Sequence, residues 1–153
     1  MNCLEDMEYY CVDNLPPVLL TKFVELSLQS EGKIDKVALV IDARGGEFFS
    51  DLTRALDDLK QEQIPYEILF LEASDEVLIR RFKESRRRHP LSNTWRLQEA
   101  IQVEKNMLKE LRGSANIVID TSTLSPRELK DKLTSLFSHR QMHPFTVNVV
   151  SFG

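Results

Sequence analysis

The sequence alternates between short, β-branched apolar runs and longer amphipathic stretches, and this alternation restricts the fold more than any other feature. Strands are predicted at residues 9–13, 36–42, 66–72 and 116–120. The most apolar of them, KVALVID, needs cover on both faces, as strands of parallel sheets do. Because helical stretches separate the strands, the pattern favours strand–helix–strand units. The sequence therefore predicts an α/β fold, a parallel sheet with helices on both faces.

Apolar residues three or four positions apart mark the predicted helices. The last helix has the clearest start, with Ser125 as N-cap, Pro126 at the first helical position and Glu128 closing a capping box. Another helix begins around Asp75. The stretch PPVLLTKFVELSLQS is predicted to be helical from residue 16, because the first turn of a helix tolerates its prolines. Three stripes with helical spacing mark this helix and the two others, namely Leu20/Phe23/Ser27, Phe49/Leu52/Leu56/Leu59 and Leu97/Ile101/Leu108/Leu111.

Length and charge narrow the range of functions. The chain has 153 residues, a length typical of one domain, and its net charge is −4. Residues 78–90 nevertheless contain six Lys or Arg and one Glu, which gives this segment a local charge of +5. A basic island in an acidic protein is unsuited to coating nucleic acid in general, but it can bind one anionic ligand locally.

The short apolar runs and the two cysteines of the sequence indicate in which cellular compartment the protein is expected. No run is long enough to cross a bilayer, and the first residues lack the basic and apolar regions of a signal peptide. Cys3 and Cys11 do not make a disulfide framework, so reduced, buried thiols are expected. We therefore expect a cytoplasmic protein with no membrane partner.

Polar residues follow each predicted strand, at the edge of the sheet where parallel α/β folds bind ligands. They are Asp13 and Asn14, Asp42 and Arg44, Glu72, and finally Asp120, Thr121 and Ser122. A carboxylate after four apolar residues suits Mg²⁺ or its water in a nucleotidase or kinase, which makes Asp13 and Asp42 candidate catalytic residues and Asp42 a candidate metal ligand. The alternative is that these acids form turns or cap helices.

The helix expected after residue 75 carries several arginines, and the segment SRRRHPL follows it. P-loop kinases place an arginine-bearing lid here, over the phosphates of the nucleotide. Arginine suits that role because its planar fork binds phosphate oxygens in a bidentate manner and keeps its charge. The predicted lid residues are Arg80, Arg86, Arg87 and Arg88. The alternative is a solvated helix face.

Five segments in order, EDMEYYCVDNLPPVLL, VALVIDARGGEFF, ILFLEASDEVLIRRFKESRRRHPLS, NIVIDTSTLSPRELK and FTVNVVSFG, resemble the RapZ/YvcJ family of P-loop nucleotide-binding proteins. The resemblance covers nearly the whole chain. It implies a P-loop kinase-like domain that binds ATP or GTP with Mg²⁺ and hydrolyses it. It also implies a small RNA and a ribonuclease as partners, and a homo-oligomer.

The resemblance carries two residue-level expectations. The GTP-binding segment of the family corresponds to Asp42, Ala43, Arg44 and Gly45, where Gly45 replaces a residue such as Asn. The family opens with a strand and the motif G-x-x-x-x-G-K-[ST], and none of the five glycines of this chain begins that motif. We therefore expect a kinase-like sheet without its first strand and P-loop, and weak or absent nucleotide binding.

Two domain segments follow from the same resemblance: residues 1–143 as a truncated nucleotide-binding domain and residues 144–153 as the beginning of a truncated second domain. In kinase-like sheets the first strand lies in the middle, so residues 36–42 and 66–72 would flank an empty position. The spare strand FTVNVVSF is predicted to fill that position, in its own chain or a partner's. Two alternatives to nucleotide binding remain open, an RNA-binding adapter that uses the same arginines without hydrolysis, and an inert fragment.

Overall fold

The computed structural model describes residues 2–41, 46–85, 97–138 and 146–152, which form five strands and six α-helices. The strands are β1 (Tyr10–Asp13), β2 (Lys36–Ile41), β3 (Tyr66–Glu72), β4 (Ile117–Asp120) and β5 (Thr146–Phe152). The helices are α1 (Asn2–Glu5), α2 (Leu20–Leu28), α3 (Gly46–Gln61), α4 (Asp75–Ser85), α5 (Leu97–Gly113) and α6 (Pro126–Ser138). The strands predicted from periodicity are confirmed to within one residue at each end.

All five strands are parallel, in the order β1-β2-β5-β3-β4. The strand predicted to fill the central position does so within its own chain. Val149 of β5 lies opposite Leu39 of β2 on one side and Ile68 of β3 on the other. Because β2 and β3 are both paired along β5, neither presents an open edge of unpaired backbone groups.

Alternating residues of the central strands point to two separate hydrophobic cores, as the twofold period of a strand requires. On one face, Leu39 and Phe70 pack in a cluster with residues of α2, α3 and α5. On the other face, Val40 and Leu71 pack with residues of α1 and α6. The predicted parallel α/β sheet with helices on both faces is therefore confirmed, and its architecture is consistent with the P-loop kinase-like type.

The region before α2 differs from the sequence prediction. A helix was expected from residue 16, but Pro17–Leu19 form a turn of 3₁₀-helix and the α-helix begins at Leu20. Pro17 keeps the preceding Pro16 in the extended region, with ψ of 131°, so helical structure begins only at Pro17, and it begins as a 3₁₀ turn. The predicted stripe is otherwise confirmed, because Leu20 and Ser27 are buried and Phe23 is half-buried.

The cysteines are unpaired thiols, as expected, although both are half-buried rather than buried. Within the described ranges, no helix is long and apolar enough to cross a membrane. The division of the chain into segments 1–143 and 144–153 stays a prediction. What the structure adds is that residues 146–152 form the middle strand of the one sheet.

Candidate functional site

The carboxyl ends of β3 and β4 meet side by side, and Thr121 joins them. Glu72 and Asp120 are register neighbours at the ends of the two strands. The amide of Thr121 donates to the carbonyl of Glu72 at 2.7 Å, and its hydroxyl donates to the same oxygen at 3.0 Å. Thr121 is 7% exposed, so this junction is a buried and fully bonded point of the sheet edge.

Helix α4 reaches this junction through Arg81. Nη1 of Arg81 donates to Oγ1 of Thr121 at 3.0 Å, and Nη2 donates to the carbonyl oxygen of Thr121 at 2.8 Å. Both ends of the guanidinium fork are therefore used by one residue. This contact fixes the second half of α4 beside the start of the β4–α6 loop.

Glu72 is held by Arg112 of α5. Nε and Nη2 of Arg112 donate to the two carboxylate oxygens at 2.6 and 3.1 Å. These hydrogen bonds, with the charge of Arg112, lower the pKa of the Glu72 carboxyl, against a smaller opposing effect of partial burial. Glu72 is thus an ionised carboxylate that is already paired with Arg112, so its role is to stabilise the fold and not to bind a ligand.

The β4–α6 loop is ordered by its own hydroxyl groups. Oδ1 of Asp120 accepts hydrogen bonds from the amide of Ser122 at 2.8 Å and from its hydroxyl at 2.5 Å. The hydroxyl bond, followed by the amide bond, lowers the pKa of Asp120. Oγ of Ser122 also accepts from the amide of Ser74, which joins the loop to the segment before α4. The interpretation of Asp120 as a turn former therefore describes its contacts well.

A groove of about 1120 Å³ opens between α4 and the β4–α6 loop, at this end of the sheet. Its apolar lining comes from the strand end, α4, the loop and the start of α6, and its polar lining combines loop hydroxyls with charged side chains. The apolar residues are Leu71, Ala73, Leu78, Phe82, Leu124, Pro126 and Leu129, and the hydroxyl-bearing residues are Thr121, Ser122, Thr123 and Ser125. Ligand sites commonly combine an apolar wall with a few polar groups in this way.

The charges along the groove are mixed. Arg80 and Arg81 line it together with Glu72, Glu84 and Glu128. Arg81 is bound to Thr121, whereas no hydrogen bond or ion pair within the described part of the chain engages the exposed guanidinium of Arg80. Among its described lining residues, the groove therefore offers one uncommitted cation, Arg80.

The amino end of α6 also faces the groove, but its donors are in use. The amide of Ser125 donates to Oε2 of Glu128 at 2.7 Å, and the amide of Glu128 donates to Oγ of Ser125 at 3.2 Å. The predicted capping box is thus confirmed, and it occupies groups that a helix amino end would otherwise offer to an anion.

The sequence-predicted site residues do not all meet at this groove. Asp13 ends β1, three strand positions from β3, which corresponds to about 14 Å at the usual spacing. Arg80 is in the groove. The remaining predicted residues, namely Asp42, Ala43, Arg44, Gly45, Arg86, Arg87 and Arg88, lie outside the described residues. Among the residues that are described, no three His, Cys, Asp or Glu side chains form a group that could hold a metal ion.

Two arginines of the site were not singled out from the sequence. Arg81 stood inside the basic island beside Arg80, and Arg112 is an ordinary basic residue in the last turn of α5. Each bonds a partner 40 positions away along the chain. Local spacing carries no signal for such a contact, so neither residue could be preferred on sequence grounds.

Comparison with known proteins identifies relatives. Residues 1–141 match the family described as the RapZ-like N-terminal domain. A nucleotide-binding protein of Syntrophomonas wolfei is 65% identical over all of this chain, which covers 52% of that protein. Nucleotide-binding proteins of Heliobacterium modesticaldum and Acetivibrio thermocellus are 57% and 54% identical, over 100% and 98% of this chain and 51% and 52% of their own lengths. The chain thus spans about half the length of the curated relatives that it matches.

Proposed function

Because the chain belongs to the RapZ-like N-terminal domain family, whose relatives are named nucleotide-binding proteins, we propose that it is a nucleotide-binding domain. The proposed site is the groove between α4 and the β4–α6 loop. Its position supports the proposal, since parallel α/β sheets bind ligands beyond the carboxyl ends of their strands. The single observation that carries the assignment is the uncommitted Arg80 beside the apolar residues that line the same groove.

The two kinds of lining suit the two parts of a nucleotide. The apolar residues Leu78, Phe82 and Leu124 offer a surface to the base and ribose, while Arg80 offers a charged fork to phosphate oxygens. The described lining contains more carboxylates than arginines, so Arg80 alone makes a weak anion site. We propose that Arg86, Arg87 and Arg88 supply the remaining positive charge, as the lid over the phosphates.

The proposed ligands are ATP and GTP with Mg²⁺, and hydrolysis is the proposed reaction of the family. The described carboxylates fit this only in part, because Glu72 is paired with Arg112 and Asp13 lies away from the groove. Mg²⁺ in nucleotide sites is held largely by phosphates, waters and one or two carboxylates. We assign that carboxylate to Asp42, which follows β2, with Arg44 as a nucleotide contact. Bound Mg²⁺ would neutralise phosphate charge.

The same arginines support a second candidate, an RNA-binding adapter module for a ribonuclease that acts without hydrolysis. The observation in its favour is the concentration of six basic residues within residues 78–90. An RNA backbone would contact many of these residues at once, whereas a mononucleotide would contact only a few. The two candidates therefore differ in their salt dependence and in whether GTP competes.

A magnesium-dependence experiment tests the first candidate. Binding of ATP and GTP to the chain is measured with and without Mg²⁺, in the wild type and in Asp42→Asn. The proposal predicts that Mg²⁺ strengthens binding in the wild type and not in the variant, with equal melting temperatures for the two chains. A large loss of stability in Asp42→Asn, with equal loss of binding in both conditions, would mark Asp42 as a structural cap.

A further inference from the structure

We propose that Arg81 is a positioning residue, which holds α4 over the groove and thereby sets where Arg80 meets the phosphates. This inference rests on the proposed nucleotide site. It divides two adjacent arginines by role, with Arg81 bonded to the protein and Arg80 available to the ligand. Neighbouring residues of an α-helix point about 100° apart. Directing Arg81 at Thr121 therefore fixes the direction of Arg80 as well.

Thr121 is suited to receive Arg81 because its hydrogen-bond donors are already used. Its amide and hydroxyl both donate to the carbonyl of Glu72, which leaves the hydroxyl lone pairs and the carbonyl of Thr121 as acceptors. Arg81 supplies one donor to each of these acceptors. The result is a directed chain from Arg81 through Thr121 to Glu72, and such chains strengthen each bond through polarisation.

The fork of arginine is needed for this contact. Two parallel N–H groups reach the hydroxyl and the carbonyl of one residue at 3.0 and 2.8 Å. A lysine carries the same charge on a single nitrogen without a fixed fork, so it would not reproduce both bonds. Arg81→Lys thus separates the geometric role from the charge.

The amino end of α4 has its own attachment. Asp75 accepts hydrogen bonds from Lys105 and Gln102 of α5, and Lys105 also donates to the carbonyl of Ala73 at 3.2 Å. Loss of the Arg81 contact should therefore loosen the later turns of α4 and leave its first turn in place. Those later turns carry Arg80.

Amide hydrogen exchange tests the anchoring directly in the whole chain. In Arg81→Lys, we expect exchange of amides in the second half of α4 to speed up about five- to tenfold, with α5 and α6 unchanged. Thr121→Val should have the same local effect, because it removes the hydroxyl that accepts from Arg81. Arg80→Lys is the matched control and should leave exchange as in the wild type.

A double-mutant cycle tests the link to the ligand, with Mg·GTP as the probe. Arg80→Ala should weaken Mg·GTP binding about three- to fivefold in the wild-type background and less than 1.5-fold in the Arg81→Lys background, because a displaced Arg80 no longer contributes. A purely structural Arg81 would give the same Arg80→Ala effect in both backgrounds.

Each remaining outcome decides one part of the inference. Unchanged exchange in Arg81→Lys, or exchange that accelerates equally in every helix, would overturn the role of Arg81 in positioning α4. If Mg·GTP binds to none of the four chains, the proposed nucleotide site fails, and with it the role of Arg80. The exchange measurement would still decide whether Arg81 anchors the helix.

Discussion

Arg112 and Glu72 form a two-point ion pair across the end of the sheet, with nitrogen–oxygen distances of 2.6 and 3.1 Å. The pair joins the last turn of α5 to the final residue of β3. Glu72 also contributes the carbonyl that Thr121 binds, so the ends of β3 and β4, helix α5 and helix α4 are connected at one point. The proposed groove is built on this junction.

The first prediction concerns the acid stability that this pair provides. The pKa of Glu72 is lowered from its usual 4.5, so the unfolded chain binds this proton at a higher pH than the folded chain does. The stabilisation is therefore present above pH 4.5 and is lost as the pH falls through the folded-state pKa. Glu72→Gln should lower the melting temperature at pH 7, and its difference from the wild type should shrink toward pH 3. Thermal melts across this range check it, with Glu62→Gln as the control. A constant difference at all pH values would contradict the pairing.

The second prediction concerns β5. A proline at position 149 removes an N–H from a strand that pairs on both sides, and it leaves a carbonyl of a neighbouring strand without its donor. Val149→Pro should cost about 2–3 kcal/mol, which lowers the melting temperature by roughly 4–12 °C. Val149→Ile keeps the N–H and is the control. Equal melting of the two variants would mean that β5 does not occupy the centre of the sheet.

The third prediction concerns Glu8, which has a φ of 66° between α1 and β1. Left-handed backbone costs a residue with a side chain about 1 kcal/mol, whereas glycine adopts it readily. Glu8→Gly should therefore raise the melting temperature by about 2–4 °C. Glu110→Gly, inside α5, should lower it by a similar amount because glycine weakens a helix interior. If Glu8→Gly lowered the melting temperature instead, the interactions of the Glu8 side chain would stabilise the fold by more than the left-handed backbone costs.

The fourth prediction separates nucleotide from RNA. If six basic residues bind the phosphates of single-stranded RNA, the plot of log affinity against log salt should have a slope of about −4. The double substitution Arg87→Ala and Arg88→Ala should make this slope shallower by about 1.4. The nucleotide proposal predicts a slope no steeper than about −2 for a 20-nucleotide RNA, and displacement of that RNA by Mg·GTP. The steep slope without displacement would favour the adapter.

Much of the fold could be predicted because its signals are local. The apolar run KVALVI predicts its strand from six consecutive residues. The capping box predicts its helix from two residues that are three positions apart, Ser125 and Glu128. The central position of β5 was predictable because the family resemblance implied a kinase-like strand order with an empty position between two largely apolar strands, and one strand remained to fill it. The 3₁₀ turn at Pro17–Leu19 was missed, since helical periodicity does not distinguish the first turn of an α-helix from a tighter one.

The candidate site was less predictable than the fold. Strand-end residues such as Thr121 could be located, because the carboxyl ends of parallel strands share one edge. The residues that bind them could not be identified from the sequence, because Arg81 and Arg112 are each 40 positions away from their partners along the chain. Asp13 was grouped with the other strand-end acids because each of them follows an apolar run, and this local pattern carries no information on how far apart the strands lie. In the sheet, β1 lies at the far edge.

The most direct test of the nucleotide-binding proposal is a titration of the isotope-labelled 153-residue chain with Mg·ATP and Mg·GTP, followed by two-dimensional NMR. The chain has no G-x-x-x-x-G-K-[ST] motif, so we predict a dissociation constant no tighter than roughly 1 mM, about −4 kcal/mol. Within the described part of the chain, the shifted amides should cluster at residues 71–82 and 120–126, on the two walls of the groove. Micromolar binding would show that the strand-end acids and arginines suffice without that motif. Shifts confined to the opposite end of the sheet, or no shifts at nucleotide concentrations well above roughly 1 mM, would contradict the assignment of this groove as a nucleotide site.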